Sequence, residues 1–508
     1  MLQTVSHNPL VVDLAMAARR LNGRALMVGG CVRDRLYGVE PKDVDVEVFG
    51  VGEDRLAAML SEVAPHVLKV GRSFPVWKIW GGATSQDQAI DVALPRKEIK
   101  TGEHHTAFAV EADPGLSFGE AAERRDFTIN AMAVDPLTDE LLDPHGGRAD
   151  FEIGQLRHVS EKFSEDPLRV LRGMQFCGRF SLTAHPDTIE LCRTLTPQGL
   201  SRERLFEEWK KFLLKSKSPS KGLRFLAQTG WIKHFPELAA LDGIQQDPHW
   251  HPEGDALAHT AHCLDAFAQK RTGDPVRDLR IGFAVLCHDF GKATHTQFID
   301  GRWRSRGHEE AGGKPTQKFI GRMTEQSELI HSVCALVVRH MSPKAYYASV
   351  KKSGNLMSMD SAIRRMAVGL SNEGASIEDL CLVCECDMAG RPPNPPLSPE
   401  TAWLRDRARQ VNVLRNRPES LLLGRDLIAL GQSPGPKFKE LLDAAFQRQL
   451  SGELKSKEEA LAMVQVWIET GVPTQTDTLD AMHERGQNGA ASMLPAPKPN
   501  PAYVEFDR

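Results

Sequence analysis

One short segment constrains the fold of this chain more than any other, the run VGGCVRDRLYGVEPKDVDVEVFG at residues 28–50. From residue 43 onward, acids alternate with valines at a period of two. This alternation predicts a β-strand with its carboxylates on one face and its valines in the core. Earlier in the run, Gly29 and Gly30 separate an apolar stretch from a short helical pattern, and glycine lets backbone N–H groups approach a ligand closely. The segment therefore predicts a glycine turn into a helix, followed by an acidic strand.

The acidic strand is a candidate metal site. Asp43 and Asp45 would lie side by side on one face, where two carboxylates repel each other unless a cation lies between them. Such hard oxygen ligands suit Mg²⁺, which commonly binds one or two carboxylates together with substrate phosphates. The turn at Gly29 and Gly30 leads into a helix N-terminus and is a candidate phosphate site. A solvated acidic strand and an ordinary turn would each explain one half alone, but together the two halves indicate a triphosphate site.

A third carboxylate is expected if the site holds two metal ions. Asp91, in the apolar run AIDVAL, is the candidate, because that run is β-like and would pair with the acidic strand. Glu47, the last acid of the alternating run, is the competitor. We interpret Glu47 as peripheral, since a third ligand usually arrives from a different strand. The predicted catalytic carboxylates are therefore Asp43, Asp45 and Asp91.

Length and patterning predict an α+β protein of several domains. A chain of 508 residues is too long for one compact core, so we expect two to four domains. Short β-like runs separated by Gly and Pro give way to helical spacing of apolar residues, which predicts a small mixed β-sheet with helices followed by all-α regions. The predicted units are a head at 1–152, a helical neck at 153–240, a histidine-rich all-α domain at 245–400, a C-terminal helical region at 401–474 and a disordered tail at 475–508.

Charge and cysteine content narrow the classes of partner and compartment. Because the net charge is −4, an RNA partner must be met by a local basic surface. Nine scattered cysteines and no signal peptide predict a reduced, cytoplasmic protein, and no apolar run approaches the length of a membrane span. One basic run would contact RNA phosphates. For most of its members a solvated helix face is the simpler explanation. The run comprises Lys210, Lys211, Lys215, Lys217 and Lys221.

Four motifs follow one another along the first third of the chain. They are LMVGGCVRDRL (26–36), KDVDVEV (42–48), RRDFTINAMAVD (124–135) and EDPLRVLRGMQF (165–176). In this order they resemble the family of class II tRNA nucleotidyltransferases and bacterial poly(A) polymerases, in the polymerase β-like nucleotidyltransferase superfamily. The resemblance implies transfer of a nucleoside monophosphate from ATP or CTP to the 3′-hydroxyl of an RNA such as tRNA, with pyrophosphate as the leaving group.

The resemblance also implies roles for individual residues. Asp43 and Asp45 become Mg²⁺ ligands, and Asp91 becomes the third carboxylate. The implied nucleotide-binding residues are Gly29, Gly30, Arg33, Arg124, Arg125, Asp126, Asn130, Asp166, Arg169, Arg172 and Arg204.

The chemistry of these side chains fits such roles. Arg124 and Arg125 offer bidentate phosphate contacts, and Asp126 can accept a hydrogen bond from a ribose hydroxyl. Asp166 and Arg169 together resemble the hydrogen-bonding edge of a base, and in the family this pair serves as the protein template that selects CTP or ATP. Taken alone, a surface salt bridge would explain the first group, and an i, i+3 ion pair with helix capping would explain the second.

A second group of motifs lies downstream. His259 is followed by LCHDFGKA (286–293) and, much later, by Asp387. This order resembles the HD phosphohydrolase superfamily, and the order of domains resembles that of HD-containing bacterial CCA-adding enzymes. The resemblance implies phosphatase, 2′-nucleotidase or 2′,3′-cyclic phosphodiesterase activity with a divalent transition metal such as Ni²⁺, Mn²⁺ or Co²⁺. The implied metal ligands are His259, His288, Asp289 and Asp387.

The sequence leaves more than one role possible for three further residues that follow the HD motif or lie within it. His308 and His340 would serve as phosphate-binding groups, as ligands of a second metal or as simple surface histidines. Lys292 would contact a phosphate or cap the helix.

Three functions fit the sequence. The first is CCA addition to tRNA with a second, HD-type hydrolase activity. The second is a poly(A) polymerase or an A-adding enzyme; family poly(A) polymerases typically place two basic residues after the glycine in VGRSFPVWKI (70–79), whereas here Ser73 follows Arg72, which favours CCA addition. The third is an HD phosphohydrolase whose N-terminal module only binds RNA.

Overall fold

The computed structural model of this protein describes residues 8–41, 43–71, 75–81, 89–100, 108–391 and 398–472. The predicted tail at 475–508 and the Arg72–Ser73 pair lie outside these residues. The predicted α+β class is confirmed, since a mixed N-terminal sheet is followed by a helical body. Among the described residues, no helix is both long and apolar enough to cross a lipid bilayer.

The N-terminal region alternates helices with short strands. Its elements are α1 (Pro9–Arg20), β1 (Arg24–Val28), α2 (Gly30–Leu36), β2 (Val44–Phe49), α3 (Glu53–Val63), β3 (His66–Val70), β4 (Val76–Trp80), β5 (Ile90–Ala93), β6 (Arg96–Lys100), β7 (Phe108–Ala112), α4 (Phe118–Ala122), β8 (Ala133–Val134), β9 (Leu141–Leu142), α5 (Gly147–Glu152) and β10 (Gln155–Leu156).

Seven of these strands form one sheet in the order β3-β4-β5-β2-β1-β8-β9. The acidic strand β2 therefore lies at its centre, antiparallel to β1 and parallel to β5. Val46 and Val48 are buried in the core, as the alternation predicts. This register matters because a slip of one residue would turn the carboxylates into the apolar core.

The rest of the chain is almost entirely helical. After Glu161–Glu165, a short 3₁₀ turn, come α6 (Leu168–Phe180), β11 (Thr183–Ala184), α7 (Pro186–Arg193), α8 (Arg202–Lys215), α9 (Pro219–Gln228), α10 (Pro236–Ala239), α11 (Ala256–Lys270), α12 (Pro275–Cys287), α13 (Lys292–His295), β12 (Gln297–Ile299), β13 (Arg302–Arg304), α14 (His308–Ala311), α15 (Gly313–Gly321), α16 (Ser327–Val337), α17 (Ser342–Ser353), α18 (Leu356–Asn372), α19 (Ile377–Ala389), α20 (Pro399–Gln410), α21 (Gly424–Ala429), α22 (Pro436–Ser451) and α23 (Lys457–Thr470).

Side-chain caps fix where the key helices of the body begin. Asp255 accepts a hydrogen bond from the Ala258 backbone N–H at the start of α11, and Ser376 forms a capping box with Asp379 at the start of α19. Each such cap stabilises its helix by about 1 kcal/mol. These two helices carry residues that meet in the second site described below.

The hydrophobic core does not break where the sequence pattern placed a boundary between neck and body. One continuous cluster of buried apolar residues runs from Phe127 to Val413. Trp209 of α8, for example, packs edge-on against Phe319 of α15. The predicted neck and histidine-rich domain therefore share one core, whereas residues of α21 to α23 form a cluster of their own.

Candidate active sites

The carboxylates of the head meet at the centre of the sheet. Asp45 on β2 lies directly opposite Asp91 on the parallel strand β5, and Asp43 precedes β2 by one residue. Asp91 is held by Lys78 of β4, whose Nζ lies 2.6 Å from Asp91 Oδ1. The three predicted carboxylates thus come from two adjacent strands, as expected if a third ligand arrives from a second strand.

The electrostatics of Asp45 indicate that this cluster suits a cation. Although Asp45 keeps some access to solvent, its packed surroundings withdraw it from bulk water, which raises its pKa to about 6. The negative charges of Asp91, Asp43 and Glu47 act in the same direction, while Arg125 opposes them. Oxygen ligands that repel one another in this way are the kind that Mg²⁺ binds.

Glu47 has a larger role than its interpretation as peripheral suggested. Its side chain is buried, and one oxygen, Oε1, accepts hydrogen bonds at 3.0 Å from both Arg124 Nη2 and Arg125 Nη2. Two arginines therefore cover the acidic face of β2 at Glu47, which the alternative of a solvated acidic strand would have left open to solvent. Glu47 lies beside the carboxylate cluster and anchors the two predicted phosphate-binding arginines.

The glycine turn leaves space for one of these arginines. Gly29 has a φ of 76°, and a Cβ atom there would lie 2.8 Å from Arg125 Nη1. Glycine is therefore required both by the backbone and by the close approach of the guanidinium. Because α2 has only seven residues, the positive charge of this corner comes mainly from arginines, and the predicted phosphate site depends on them more than on the helix dipole.

A cavity of about 490 Å³ opens beside this cluster, between the sheet and helices α6 and α8. The cavity is lined by all the predicted nucleotide-binding residues except Arg124, which donates to Glu47. It also has lining residues that were not predicted as nucleotide-binding, among them Gln175, Phe176 and Arg179. These follow Arg172 at helical spacing on α6, so the 3.6-residue period was the signal that would have found them.

The carboxylate of Asp126 accepts hydrogen bonds from three donors that the sequence analysis did not predict. Arg172 Nε donates to its Oδ2 at 2.7 Å, while Asn130 Nδ2 and the Phe127 backbone N–H donate to its Oδ1. Burial alone would raise the pKa of Asp126, but the Arg172 charge and these hydrogen bonds outweigh burial and lower it. Asp126 thus anchors Arg172 in the cavity wall, and its role as the acceptor for a ribose hydroxyl stays a prediction.

The predicted template residues do not form an i, i+3 ion pair. Asp166 Oδ2 accepts instead from Arg204 Nη2 at 2.7 Å. Arg169 donates to two backbone carbonyls, those of Lys162 at 2.5 Å and Arg124 at 2.7 Å. The ion-pair part of the alternative is therefore wrong, whereas the capping part is present, because Asp166 Oδ1 accepts from the Leu168 backbone N–H at the start of α6. Both side chains line the cavity.

Arg33 lines the cavity and is held in place by neighbouring polar and aromatic side chains. Its buried guanidinium donates to Asp34 Oδ1 and Asn130 Oδ1 and lies over the Phe180 ring, 4.5 Å from the centroid. Burial lowers its pKa, and the aromatic contact offsets part of that desolvation.

A second site lies in the helical body, where residues far apart in sequence converge. The His259 Nε2 atom of α11 lies 3.0 Å from Asp387 Oδ1 of α19 and 3.8 Å from Asp289 Oδ2. His288 Nε2 lies 3.3 Å from the same Asp289 oxygen. All four predicted metal ligands of the HD motif thus lie together, and all are buried except the partly accessible Asp387.

The imidazoles of this cluster are oriented by their other nitrogen. Nδ1 of His288, His308 and His340 faces the backbone carbonyl three residues earlier in each case, at 2.6–2.8 Å. Nδ1 of His259 faces the Glu253 carboxylate at 2.7 Å. Because a carbonyl or carboxylate only accepts, each Nδ1 donates, and each neutral ring then presents the Nε2 lone pair to the centre.

This arrangement fits metal ions. The Nε2 atoms of His308 and His340 face each other at 3.1 Å, and two lone pairs at that distance repel unless a cation or a proton lies between them. Together with Asp289 these two histidines form one set of potential ligands, next to the set that contains His259, His288 and Asp387. His308 and His340 are buried, so the surface-histidine interpretation is wrong.

The pKa values of Asp289 and His340 agree with ligand roles, whereas the neighbouring Asp289 and Asp387 raise the pKa of His288 in spite of its burial. Burial opposes ionisation of Asp289, but His288, Lys292 and His308 hold its pKa well below the usual range. Burial and the neighbouring histidines lower the pKa of His340 to about 3, which keeps that imidazole neutral and able to bind a metal. Lys292 lies 2.7 Å from Asp289 Oδ2 and donates to Gln246, so it does more than cap a helix.

Some members of the cluster were missed at the level of sequence. Glu253 accepts from both His251 and His259, which lowers its pKa to about 2 despite its burial. Cys263 lies one turn after His259 on α11, with Sγ 3.3 Å from His259 Nε2. The absence of a side chain at Gly291 lets the start of α14 pack against the backbone of the HD motif, since a Cβ at Gly291 would lie 2.0 Å from the His308 carbonyl oxygen. The run HWHPEGD just before His259 held the signal for His251 and Glu253.

Comparison with known proteins places this arrangement in a family. The profile of the poly A polymerase head domain matches residues 25–157, and that of a probable RNA and SrmB-binding site of polymerase A matches residues 181–241. A multifunctional CCA protein of Stenotrophomonas maltophilia (strain R551-3) is 35% identical over 378 residues, which cover 72% of this chain and 86% of that protein.

Two solved structures have the same fold. The Bacillus stearothermophilus CCA-adding enzyme in complex with CTP aligns with a TM-score of 0.61 at 21% identity, over 91% of this chain and 99% of the other. The Thermotoga maritima CCA-adding enzyme complexed with tRNA aligns with a TM-score of 0.56 at 22% identity, over 92% and 97%. At these identities the two structures show the fold alone.

Proposed function

Because the chain belongs to the family of multifunctional CCA proteins, we propose that it adds CCA to the 3′ end of tRNA, with CTP and ATP as substrates. The observation that carries this proposal is the position of the Asp45–Asp91 pair at the edge of the arginine-lined cavity. A triphosphate that enters this cavity meets cationic side chains on one side and the carboxylates on the other.

Asp43, Asp45 and Asp91 would hold Mg²⁺. The crowding of negative charge that raises the pKa of Asp45 is the observation that fits this role. Bound there, Mg²⁺ supplies charge neutralisation for the triphosphate and for the attacking oxygen of the RNA. Lys78 keeps the Asp91 carboxylate in place through its 2.6 Å contact.

The arginines of the cavity then bind and orient the nucleotide. Arg125, held by Glu47, and Arg172, held by Asp126, each offer remaining N–H groups to phosphates in a fixed direction. Asp166 and Arg169 remain the residues that we propose read the base. Asp166 already accepts from Arg204, so we propose that a bound base competes with Arg204 for this carboxylate.

A nucleotide incorporation assay tests the transferase proposal. Purified protein with Mg²⁺, labelled CTP and ATP, and tRNA that ends at the discriminator base is expected to add C, C and A in that order. A long ladder from ATP alone on any RNA would instead identify a poly(A) polymerase. Addition of one A to tRNA that already ends in CC, without C addition, would identify an A-adding enzyme.

For the helical body we propose a metal-dependent phosphohydrolase of the HD type. The convergence of His259, His288, Asp289 and Asp387, with their Nε2 and carboxylate oxygens turned to one point, supports it. Imidazole and carboxylate ligands suit a divalent transition metal such as Ni²⁺, Mn²⁺ or Co²⁺, which supplies an activated water for attack on a phosphoester. The candidate reactions are phosphatase, 2′-nucleotidase and 2′,3′-cyclic phosphodiesterase reactions.

Two variants test whether the protein has two independent sites. Asp43→Ala is expected to abolish nucleotide incorporation and to leave hydrolysis of a 2′,3′-cyclic nucleotide intact, and His288→Ala is expected to do the reverse. If neither wild-type protein nor variant incorporates nucleotides while hydrolysis persists, the alternative of an HD hydrolase with an RNA-binding head is correct. If one substitution removes both activities from a folded protein, the two-site proposal fails.

A further inference from the structure

The cavity above the histidine cluster is much larger than hydrolysis of a phosphoester requires. Its volume is about 900 Å³, against about 490 Å³ for the head cavity to which we assign one nucleoside triphosphate. Ligand cavities of small molecules span roughly 300–1,000 Å³, so this one lies near the upper end. The metal-ligand cluster occupies only its floor, through Asp289, His308, His340 and Asp387.

One wall of the cavity is basic. Arg302 and Arg304 lie on the same side of β13, and Arg306 follows in the next turn. Arg302 and Arg306 are exposed, and Arg304 Nη2 lies 3.7 Å from Asp300. Lys344, exposed at the start of α17, lines the same space. These cations stand on the wall above the cluster, where they would meet phosphates other than the one undergoing hydrolysis.

The walls also carry aromatic rings. Trp250 is 57% exposed and lines the cavity, with His249 edge-on against it at a centroid distance of 4.9 Å. Trp303, on the hairpin of β12 and β13, lines the cavity as well and packs against Phe298 at 5.1 Å. Trp250 is thus exposed and Trp303 half-buried, and solvent-accessible aromatic rings next to arginines are the combination with which proteins bind unpaired bases of single-stranded nucleic acid.

From these walls we infer that the cavity binds the 3′-terminal nucleotides of a single-stranded RNA, whose bases stack on Trp250 and Trp303 and whose phosphates contact Arg302, Arg304 and Arg306. The inference rests on the proposed phosphohydrolase, because the terminal phosphate would then lie at the metal-ligand cluster. It goes further in the substrate that it assigns. Mononucleotides and simple phosphoesters would use only the floor, whereas an RNA end of two or more nucleotides would use the walls.

Steady-state kinetics of the full-length, metal-loaded protein test this inference. The substrates are a dinucleotide ending in a 2′,3′-cyclic phosphate, the corresponding mononucleotide, and bis(p-nitrophenyl) phosphate as a small ester. The wild-type KM is expected to be about tenfold lower for the dinucleotide than for the mononucleotide, since stacking of one base contributes this much. Trp250→Ala is expected to remove that advantage, and Trp250→Phe to restore most of it.

Arginine variants provide a second, independent test. Arg302→Ala combined with Arg306→Ala is expected to raise the dinucleotide KM several-fold and to weaken its salt dependence, since fewer phosphate contacts are lost at high salt. Arg409→Ala is the matched control, because Arg409 is an exposed arginine of α20 outside the cavity. Equal KM values for mononucleotide and dinucleotide, or an unchanged dinucleotide KM in the Trp250→Ala variant, would overturn the inference.

Equilibrium binding separates failure of this inference from failure of the phosphohydrolase proposal. Fluorescence anisotropy of a labelled dinucleotide is measured with excess CTP to occupy the head. If the wild-type protein hydrolyses no ester, the phosphohydrolase proposal fails. Even then, loss of dinucleotide binding in the Trp250→Ala variant supports the RNA-binding cavity, and unchanged binding refutes it.

Discussion

The two sites of this protein differ in how completely they are built before a substrate arrives. In the body, His259, His288 and Asp289 are at most 1% exposed, and every imidazole has a fixed partner on Nδ1. In the head, Asp43 and Asp45 are exposed at the start of the central strand β2, and the arginines line an open cavity. The body site is thus rigid before binding, whereas the head site is a set of anchored charges that a nucleotide must complete.

This difference has a physical reason. A buried metal site tolerates no misplaced ligand, because an unpaired buried charge costs several kcal/mol. A site that accepts CTP and ATP in turn, as we propose for the head, needs side chains that change partners, and exposed ion pairs such as Asp166–Arg204 exchange at little cost. The comparison predicts that substitution of a residue that anchors a ligand causes a larger loss in the body than substitution of an anchoring residue does in the head, where only the carboxylates themselves are expected to give larger effects.

The carboxylates of the head are expected to give the largest effect. Asp45→Asn is expected to lower nucleotide incorporation by at least about a hundredfold, since loss of a metal ligand exceeds the 10–100-fold typical of losing an outer partner. Hydrolysis at the body site serves as the internal control. Incorporation that remains within a few-fold of wild type would show that the carboxylate cluster is not the metal site.

The rigidity of the body site is tested at Glu253, which contacts no predicted substrate. Glu253→Gln is expected to weaken metal binding about 10- to 100-fold, because His259 loses its charged partner on Nδ1. Isothermal titration with Mn²⁺ measures the affinity. Glu310→Gln, an exposed acid on α14, is the matched control and should bind metal as wild type does. Equal affinities would show that the imidazole is oriented by packing alone.

Glu47 tests whether the arginines of the head are anchored as firmly as the imidazoles of the body. Glu47→Gln is expected to raise the KM for both nucleotides about tenfold with a smaller change in kcat, and to lower the free energy of unfolding by about 2 kcal/mol, because two charge-assisted hydrogen bonds are weakened. Nucleotide kinetics and urea unfolding measure the two effects. The exposed Glu62→Gln on α3 is the control. A stability loss without a change in KM would assign Glu47 a purely structural role.

The smallest effect is expected at the exposed pair. Arg204→Ala is expected to change the free energy of unfolding by less than about 1 kcal/mol, because both partners remain solvated. It is nevertheless expected to change the ratio of kcat/KM for CTP over ATP, since Asp166 is released from its partner. An unchanged ratio of kcat/KM for CTP over ATP would show that Arg204 has no role in base selection. It would also contradict the proposal that side chains of the head change partners when a nucleotide binds.

Sequence reasoning identified the members of each site better than their contacts. The period-two run predicted β2, its buried valines and the carboxylate face, and the pairing of β2 with the strand of Asp91 followed from a similar run, whereas the parallel direction of that pairing came from the structure. From the same pattern Glu47 was interpreted as peripheral to the site. No local sequence signal indicates that Arg124 and Arg125, which lie 77 and 78 residues away, cover Glu47. It also left an i, i+3 pair open for Asp166 and Arg169, which take tertiary partners instead.

What the sequence determined by itself is therefore what depends on short-range order: the alternation that makes a strand, the glycines that allow a turn, the helical spacing and the types of ligand that each segment carries. The tertiary structure alone decided which charges meet. His259 faces Asp387 across 128 residues, and His308 at the start of α14 faces His340 in the turn that follows α16. Local pattern determines on which face of its strand or helix a side chain lies. The partner of that side chain depends on the packing of the whole chain. Because an unpaired charge is costly when it is buried, the folded chain adopts the arrangement in which buried charges are paired.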